Sequence, residues 1–192
     1  MTVPNRNIRF TYADYKSLPE SMDRRYELLD GDLVLVPAPT IKHQRISKKL
    51  EFIFITFFEH NNLGEVLYAP VDVVFGKGND REVVQPDIIF ISNERSDIAT
   101  EQEIQDAPDL VVEILSPGTE ERDRNYKKSL YSRYNVLEYW IVDPTAETID
   151  IYSQTERGLQ RSGIYAATQT VISPRWPELT LQAGAIFPSP NI

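Results

Sequence analysis

The sequence predicts an α/β domain built on a mixed β-sheet flanked by helices, with additional antiparallel strands at both ends. Three observations lead there. The β-branched apolar run Asp109–Leu115 is followed by an amphipathic stretch, Glu120–Tyr134, and then by a second short apolar run, Glu138–Val142. From Thr40 to about His60, the apolar residues Ile41, Ile46, Leu50, Ile53, Phe54, Phe57 and Phe58 recur at helical spacing. Short strand-like runs separated by turn dipeptides stand before and after this middle portion.

Thr11 followed by Asp14 marks a helix start, and Thr11–Leu18 reads as a short helix that stops before Pro19. RRYELLDGDLVLVP reads as two strands joined at Asp30–Gly31, the dipeptide that favours a two-residue hairpin turn. Pro37 and Pro39 close the hairpin, and the Thr40–His60 helix buries an aromatic-rich face while leaving its lysines outside. Asn61–Gly64 ends that helix. Glu65–Phe75 then alternates as a strand, Gly76–Asp80 is a turn, and Val83–Ile91 is the next strand. Ser92–Ala107 is polar and acidic, with one helical turn. Asp109–Leu115 is apolar on both faces, as a central strand is. In Glu120–Tyr134, Leu130, Tyr131 and Tyr134 share one side. After Asp143-Pro144 come antiparallel strands at Thr148–Ser153, Leu159–Tyr165, Thr168–Ile172 and Leu179–Gln182, with turns at Arg157-Gly158, Ser162-Gly163 and Ala183-Gly184. Neither a repeat nor a linker divides the chain, so residues 1–192 read as one domain.

At 192 residues, 41% hydrophobic and 26% charged, the chain is long enough for a sizeable core and is not disordered in composition. No cysteine is present, which excludes disulfides and zinc–thiolate sites. The N-terminal twenty residues carry no signal-peptide core, and the most apolar helical stretch, around Leu50–Phe58, is about half the length that spans a bilayer, so a cytoplasmic protein with no membrane association is expected. The net charge of −9 argues against coating nucleic acid non-specifically, which needs many neutralised phosphates. It leaves room for an enzyme that gathers carboxylates around a cation and keeps only a local basic rim. Two such rims stand out: Lys42, His43, Arg45, Lys48 and Lys49, and Arg122, Arg124, Lys127, Lys128 and Arg133.

The informative stretch is QPDIIFISNERSDIATEQEIQDAPDLVVEILSP. Two apolar strands here each carry an acid, Asp87 and Glu113. A buried carboxylate needs a positive partner, whether arginine, lysine or metal. Mg²⁺ asks for hard oxygen ligands, and one or two carboxylates with water and phosphate oxygens suffice. Asp87 and Glu113 on neighbouring strands supply two, the Ile114 carbonyl offers a third, and a lysine on the following helix stabilises charge on phosphate.

YELLDGDLVLVPAP, the helix containing His43, VVQPDIIFI, DLVVEILSPGTEERDRNYKKSLY and NVLEYWIVDP occur in that order across roughly residues 26–144. Together they resemble the PD-(D/E)xK nuclease superfamily and, more narrowly, the bacterial restriction-endonuclease family of the Uma type. The resemblance implies a restriction-endonuclease-like domain and a Mg²⁺- or Mn²⁺-dependent endonuclease acting on nucleic acid, DNA first. It implies Asp87, Glu113 and Lys127 as the catalytic set and Glu27 as a further metal-binding acid. One departure matters: the superfamily lysine two residues after the acid is replaced by Leu115, and the resemblance puts Lys127, on the next helix, in its place. Lys128, a third of a turn away, is the alternative. Asp123, four residues before Lys127, shares its helix face and pairs with it. His43, among basic residues, is a candidate phosphate contact.

Bland readings stand beside these. Asp87 after Pro86 suits a strand entry, Glu27 between Tyr26 and Leu28 suits a solvent-facing strand position, and His43 suits an ordinary helix histidine. Asp72 also interrupts a strand. Glu113 resists such a reading, because a glutamate in the middle of the most apolar strand needs a dedicated partner. The competing function is a catalytically inactive module of the same fold that binds nucleic acid or protein, with Glu113 satisfied by a basic side chain alone. A homodimer, joined through the C-terminal strands, suits a reaction on both strands of a duplex.

Overall fold

The structure, a computed structural model, describes residues 9–19 and 25–187; part of the stretch read for a signal peptide lies outside them. The chain begins with α1 (Tyr12–Lys16), capped by the Thr11 side chain, which accepts from Asp14 N while Asp14 accepts from Thr11 N. β1 (Arg25–Leu29) and β2 (Asp32–Val36) form the expected hairpin. Asp30 (φ 47°) and Gly31 (φ 80°) are both left-handed, the backbone of a two-residue turn that matches strand twist. Thr40 caps α2 (Ile41–Phe54), which continues through a π-helical turn at Ile55–Glu59.

Two expected strands are each broken in the middle. Glu65–Phe75 is β3 (Gly64–Tyr68) and β4 (Val73–Phe75), and Val83–Ile91 is β5 (Glu82–Val84) and β6 (Ile88–Ser92). Each break holds a proline, Pro70 and Pro86, which has no N–H to donate to a ladder. The halves then part company. β4 and β5 join the hairpin in a four-stranded antiparallel sheet ordered β2-β1-β5-β4, while β3 and β6 enter a six-stranded sheet. The six-stranded sheet is the expected mixed sheet, and the four-stranded one supplies antiparallel strands beside it; what differs is that each of the two expected long strands is shared between the sheets.

The six-stranded sheet adds β7 (Leu110–Ile114), β8 (Glu138–Asp143), β9 (Thr148–Thr155) and β10 (Gly158–Ala166) in the order β10-β9-β8-β7-β6-β3. Only β7 and β8 run parallel; between them lies a helix made of a π-helical segment, Arg122–Lys127, and α3 (Lys128–Arg133). Ser162-Gly163, expected as a turn, is a bulge inside β10, where one extra residue shifts the register against β9. Ala183-Gly184, also expected as a turn, opens the short helix α4 (Ala183–Ile186) after the small hairpin of β11 (Thr170–Ile172) and β12 (Thr180–Gln182).

α2 lays Ile46, Leu50, Phe54 and Phe58 on one face of the six-stranded sheet, against Val66, Ile88, Phe90, Val112 and Trp140. The opposite face, with Ile89, Val111 and Tyr139, meets Leu130 and Tyr131 of α3 and Leu29, Phe75 and Val84 of the four-stranded sheet. β7 is therefore covered on both sides, and all five of its residues are buried. Phe58 is fully buried and stacks on Phe90 with ring centroids 3.7 Å apart. Phe58→Ala is expected to destabilise the fold by about 3–5 kcal/mol, read as a fall in the urea midpoint. A midpoint within error of wild type would mean that this face is not a packed core.

Candidate active site

Glu113 is the fourth residue of β7, and its side chain shares the α3 face with Val111 and Leu115. β6 runs antiparallel beside it with Ile88 opposite Val112, which sets Asp87 across from Glu113. Asp87 thus stands at the entry to β6, not inside a long strand. Its Oδ2 accepts from Ile114 N at 2.7 Å and meets His43 Nε2 at 3.1 Å.

Glu113 is 4% exposed, and two groups from the next helix meet its Oε1: Lys127 Nζ at 2.8 Å and Tyr131 O–H at 2.6 Å. The positive partner asked for by the sequence is thus Lys127. The same ammonium reaches Glu27 Oε1 at 2.8 Å and Asp123 Oδ1 at 3.6 Å. Asp123, Lys127 and Tyr131, spaced by four, form one buried line on the helix. Lys128 lies elsewhere, its Nζ 5.0 Å from the Tyr152 ring centroid.

Glu27 does not face solvent; it is 1% exposed. β1 is an interior strand of the four-stranded sheet, and the Glu27 face is also that of Leu29, which packs into the α3 core. Besides Lys127, Glu27 accepts from Gln85 N at 3.0 Å and has Arg122 3.7 Å away. Asp72 is held outside the cluster by Tyr15 O–H at 2.9 Å and Gln85 Nε2 at 2.8 Å.

Three carboxylates around one ammonium leave the acids in excess. Burial pushes the Glu113 carboxyl well above its ordinary value; Lys127 opposes this, and Asp123, Asp87 and Glu27 add to it. Burial raises Asp123 as well, again against Lys127. For Lys127, burial favours the neutral amine, but Glu113, Glu27 and Asp123 outweigh it and hold the ammonium charged. Burial likewise works against protonating His43, yet the hydrogen bond and charge of Asp87, with the Ile114 carbonyl, raise its pKa above the usual value.

The donor set suits a hard divalent cation. The contacts above engage Asp87 Oδ2 and Glu113 Oε1, leaving the second oxygen of each carboxylate without a bond from any described residue. Glu27 Oε2 and Asp123 Oδ1 are buried without a hydrogen bond. Among the described residues no three acidic or histidine side chains gather closely enough to hold an ion unaided. A cation at Asp87 and Glu113 would therefore draw the rest of its shell from water or other oxygens, as Mg²⁺ commonly does. These groups line a cavity of about 50 Å³, room enough for water or an ion.

A family model described as "Putative restriction endonuclease", Uma2, matches residues 12–184. The chain belongs to the Uma2 family. This Uma2 chain is 28% identical over 146 residues to "Uncharacterized protein slr1290" of Synechocystis sp., a match spanning 76% of the chain and 74% of that protein. Its fold is similar to that of a crystal structure described as a "putative nuclease belonging to DUF820" from Anabaena variabilis, with a TM-score of 0.76 and 21% identity over 93% of the Uma2 chain and 97% of the other. No helix among the described residues of the Uma2 chain is long and apolar enough to cross a membrane.

Two partners in the site escaped the sequence reading. Tyr131 was placed with the core side of its helix, although its spacing of four from Lys127 is the signal that both face one point. Arg122 was seen only as part of a basic rim.

Proposed function

We propose that this protein is a metal-dependent endonuclease that hydrolyses phosphodiester bonds of nucleic acid, DNA in the first instance. One observation supports it most: Glu113, buried in the central strand, lies opposite Asp87 and is tied to a charged lysine, with one oxygen of each acid still free for a cation. Asp87 and Glu113 hold Mg²⁺ or Mn²⁺. Bound there, the cation neutralises phosphate charge and lowers the pKa of water. Lys127 offers a permanently charged donor to the attacking water or a phosphate oxygen. Tyr131 fixes the Glu113 carboxylate, and Glu27 and Asp123 hold Lys127 in place from its other sides. His43, protonated beyond its ordinary range, faces the phosphate beside Asp87. Two copies related by a twofold axis serve both strands of a duplex.

The Lys127–Glu113 bond is also what an inactive module with a structural ion pair contains, so metal binding separates the two readings. Calorimetric titration of Mn²⁺ is expected to show binding to the wild type that disappears in Glu113→Gln. A folded wild type that takes up no Mn²⁺, alone or with DNA present, overturns the nuclease reading. The titration carries a pH dependence of known sign. The cation needs Glu113 ionised, and burial makes Glu113 hold its proton above the ordinary carboxylate range. Affinity therefore rises with pH through that raised value, with protons released on binding; affinity independent of pH places the ion elsewhere.

A further inference from the structure

The acid-lined cavity admits water or an ion, but at about 50 Å³ it does not admit a nucleotide. Beside it lies a second cavity of about 660 Å³, the size of a small-molecule ligand site. Arg25, Pro39, His43 and Asp87 line both, so the two share a wall at Asp87.

The larger cavity lies between the first half of α2 and the end of β3. Tyr68, the last residue of β3, pairs with Ile88, and the next amide, Ala69 N–H, donates to the Asp87 carbonyl at 3.0 Å. Val66, on the same face two residues earlier, is buried in the α2 core, whereas Tyr68 is 55% exposed. Ile41, at the start of α2, is 73% exposed on the other side of the cavity. Arg25, Arg45 and Lys48 also line it, against Asp87 and Glu51. Among the described residues, Arg25 and Lys48 thus bring positive charge to this wall of a chain whose net charge is −9.

We propose that this cavity holds an unpaired nucleobase of the substrate strand, stacked on Tyr68 and backed by Ile41, while Arg25 and Lys48 meet the flanking phosphates. An exposed aromatic ring within a basic groove is how proteins hold single-stranded nucleic acid, because every base has a face to stack and a charged backbone beside it. In an intact duplex those faces are covered by neighbouring bases. The substrate class is therefore a single strand, or a duplex opened at the site of cleavage. This rests on the nuclease reading of the acid cluster, which fixes where the strand passes.

The test is fluorescence anisotropy with a short labelled single-stranded DNA and the same sequence as a blunt duplex, both with chelator present, alongside cleavage assays with Mn²⁺. Wild type is expected to bind the single strand more tightly. Tyr68→Ala is expected to weaken that affinity about tenfold while leaving duplex affinity unchanged, and Tyr68→Phe to retain it, since the ring and not the hydroxyl does the stacking. If Tyr68→Ala binds the single strand as wild type does, while Glu113→Gln still removes cleavage, the subsite is overturned and the nuclease stands. If neither form is cleaved but single-strand binding depends on Tyr68, the subsite stands and the nuclease reading falls. A wild type that binds neither form and, with Mn²⁺, cleaves neither overturns both; one that binds neither form yet cleaves with Mn²⁺ overturns the subsite alone.

Discussion

Lys127→Met is expected to destabilise the protein by about 3–5 kcal/mol and to abolish cleavage. The variant keeps the length and volume of the side chain but removes the one ammonium that touches Glu113, Glu27 and Asp123, all less than a tenth exposed. Breaking a buried ion pair from one side leaves the partner charge without compensation, and effects of this size follow. The three acids respond by taking up protons, so the loss is largest where they are ionised and shrinks as pH falls. Combining Lys127→Met with Glu113→Gln is expected to cost less than the sum of the two, because the second change removes one of the stranded charges. Urea unfolding of the two single variants and the double measures both. Wild-type stability in Lys127→Met would rule out the ammonium as the electrostatic centre of the cluster.

Glu113→Gln is expected to leave the fold standing and remove the chemistry. The amide is isosteric, and its carbonyl accepts from Lys127 and Tyr131 as the carboxylate oxygen does. Stability within about 1 kcal/mol of wild type is the expected outcome, since the exchanged bonds are each of that order and a buried carboxylate is replaced by a neutral group. Cleavage is expected to fall by about 10³-fold or more, the scale on which a single lost electrostatic stabiliser acts in a closed site. Full retention of metal-dependent cleavage would sink the assignment of Glu113. Loss of activity together with loss of structure would say only that the glutamate is needed to fold, and the calorimetric and unfolding measurements on the same variant separate these cases.

The sequence was most legible where a local rule acts alone. Asp30-Gly31 names its turn because only certain residues accept two consecutive left-handed conformations. The i, i+4 apolar spacing of Ile46, Leu50, Phe54 and Phe58 names a helix face. The unbroken apolar run around Glu113 names a strand covered on both sides. Less legible were Glu65–Phe75 and Val83–Ile91, where alternation and β-branching continue past Pro70 and Pro86. Nothing local says that the two halves of each run belong to different sheets.

The same division holds for the site. From its own residues the chain determines that Glu113 is a buried acid in a central strand and that Asp87 belongs to a neighbouring apolar run, because burial of a β-branched run follows from its composition; that Asp87 stands just before β6 comes from the structure. The order of motifs adds Lys127 on the helix that follows. Only the tertiary structure decides that Glu27 faces inward, that Tyr131 donates to Glu113 and that Tyr68 stands open beside Asp87. Each of these depends on how far two elements distant in sequence approach each other. That approach is set by the packing of the four-stranded sheet and of α2 against the six-stranded one, and a single residue's neighbours in the chain carry no record of it.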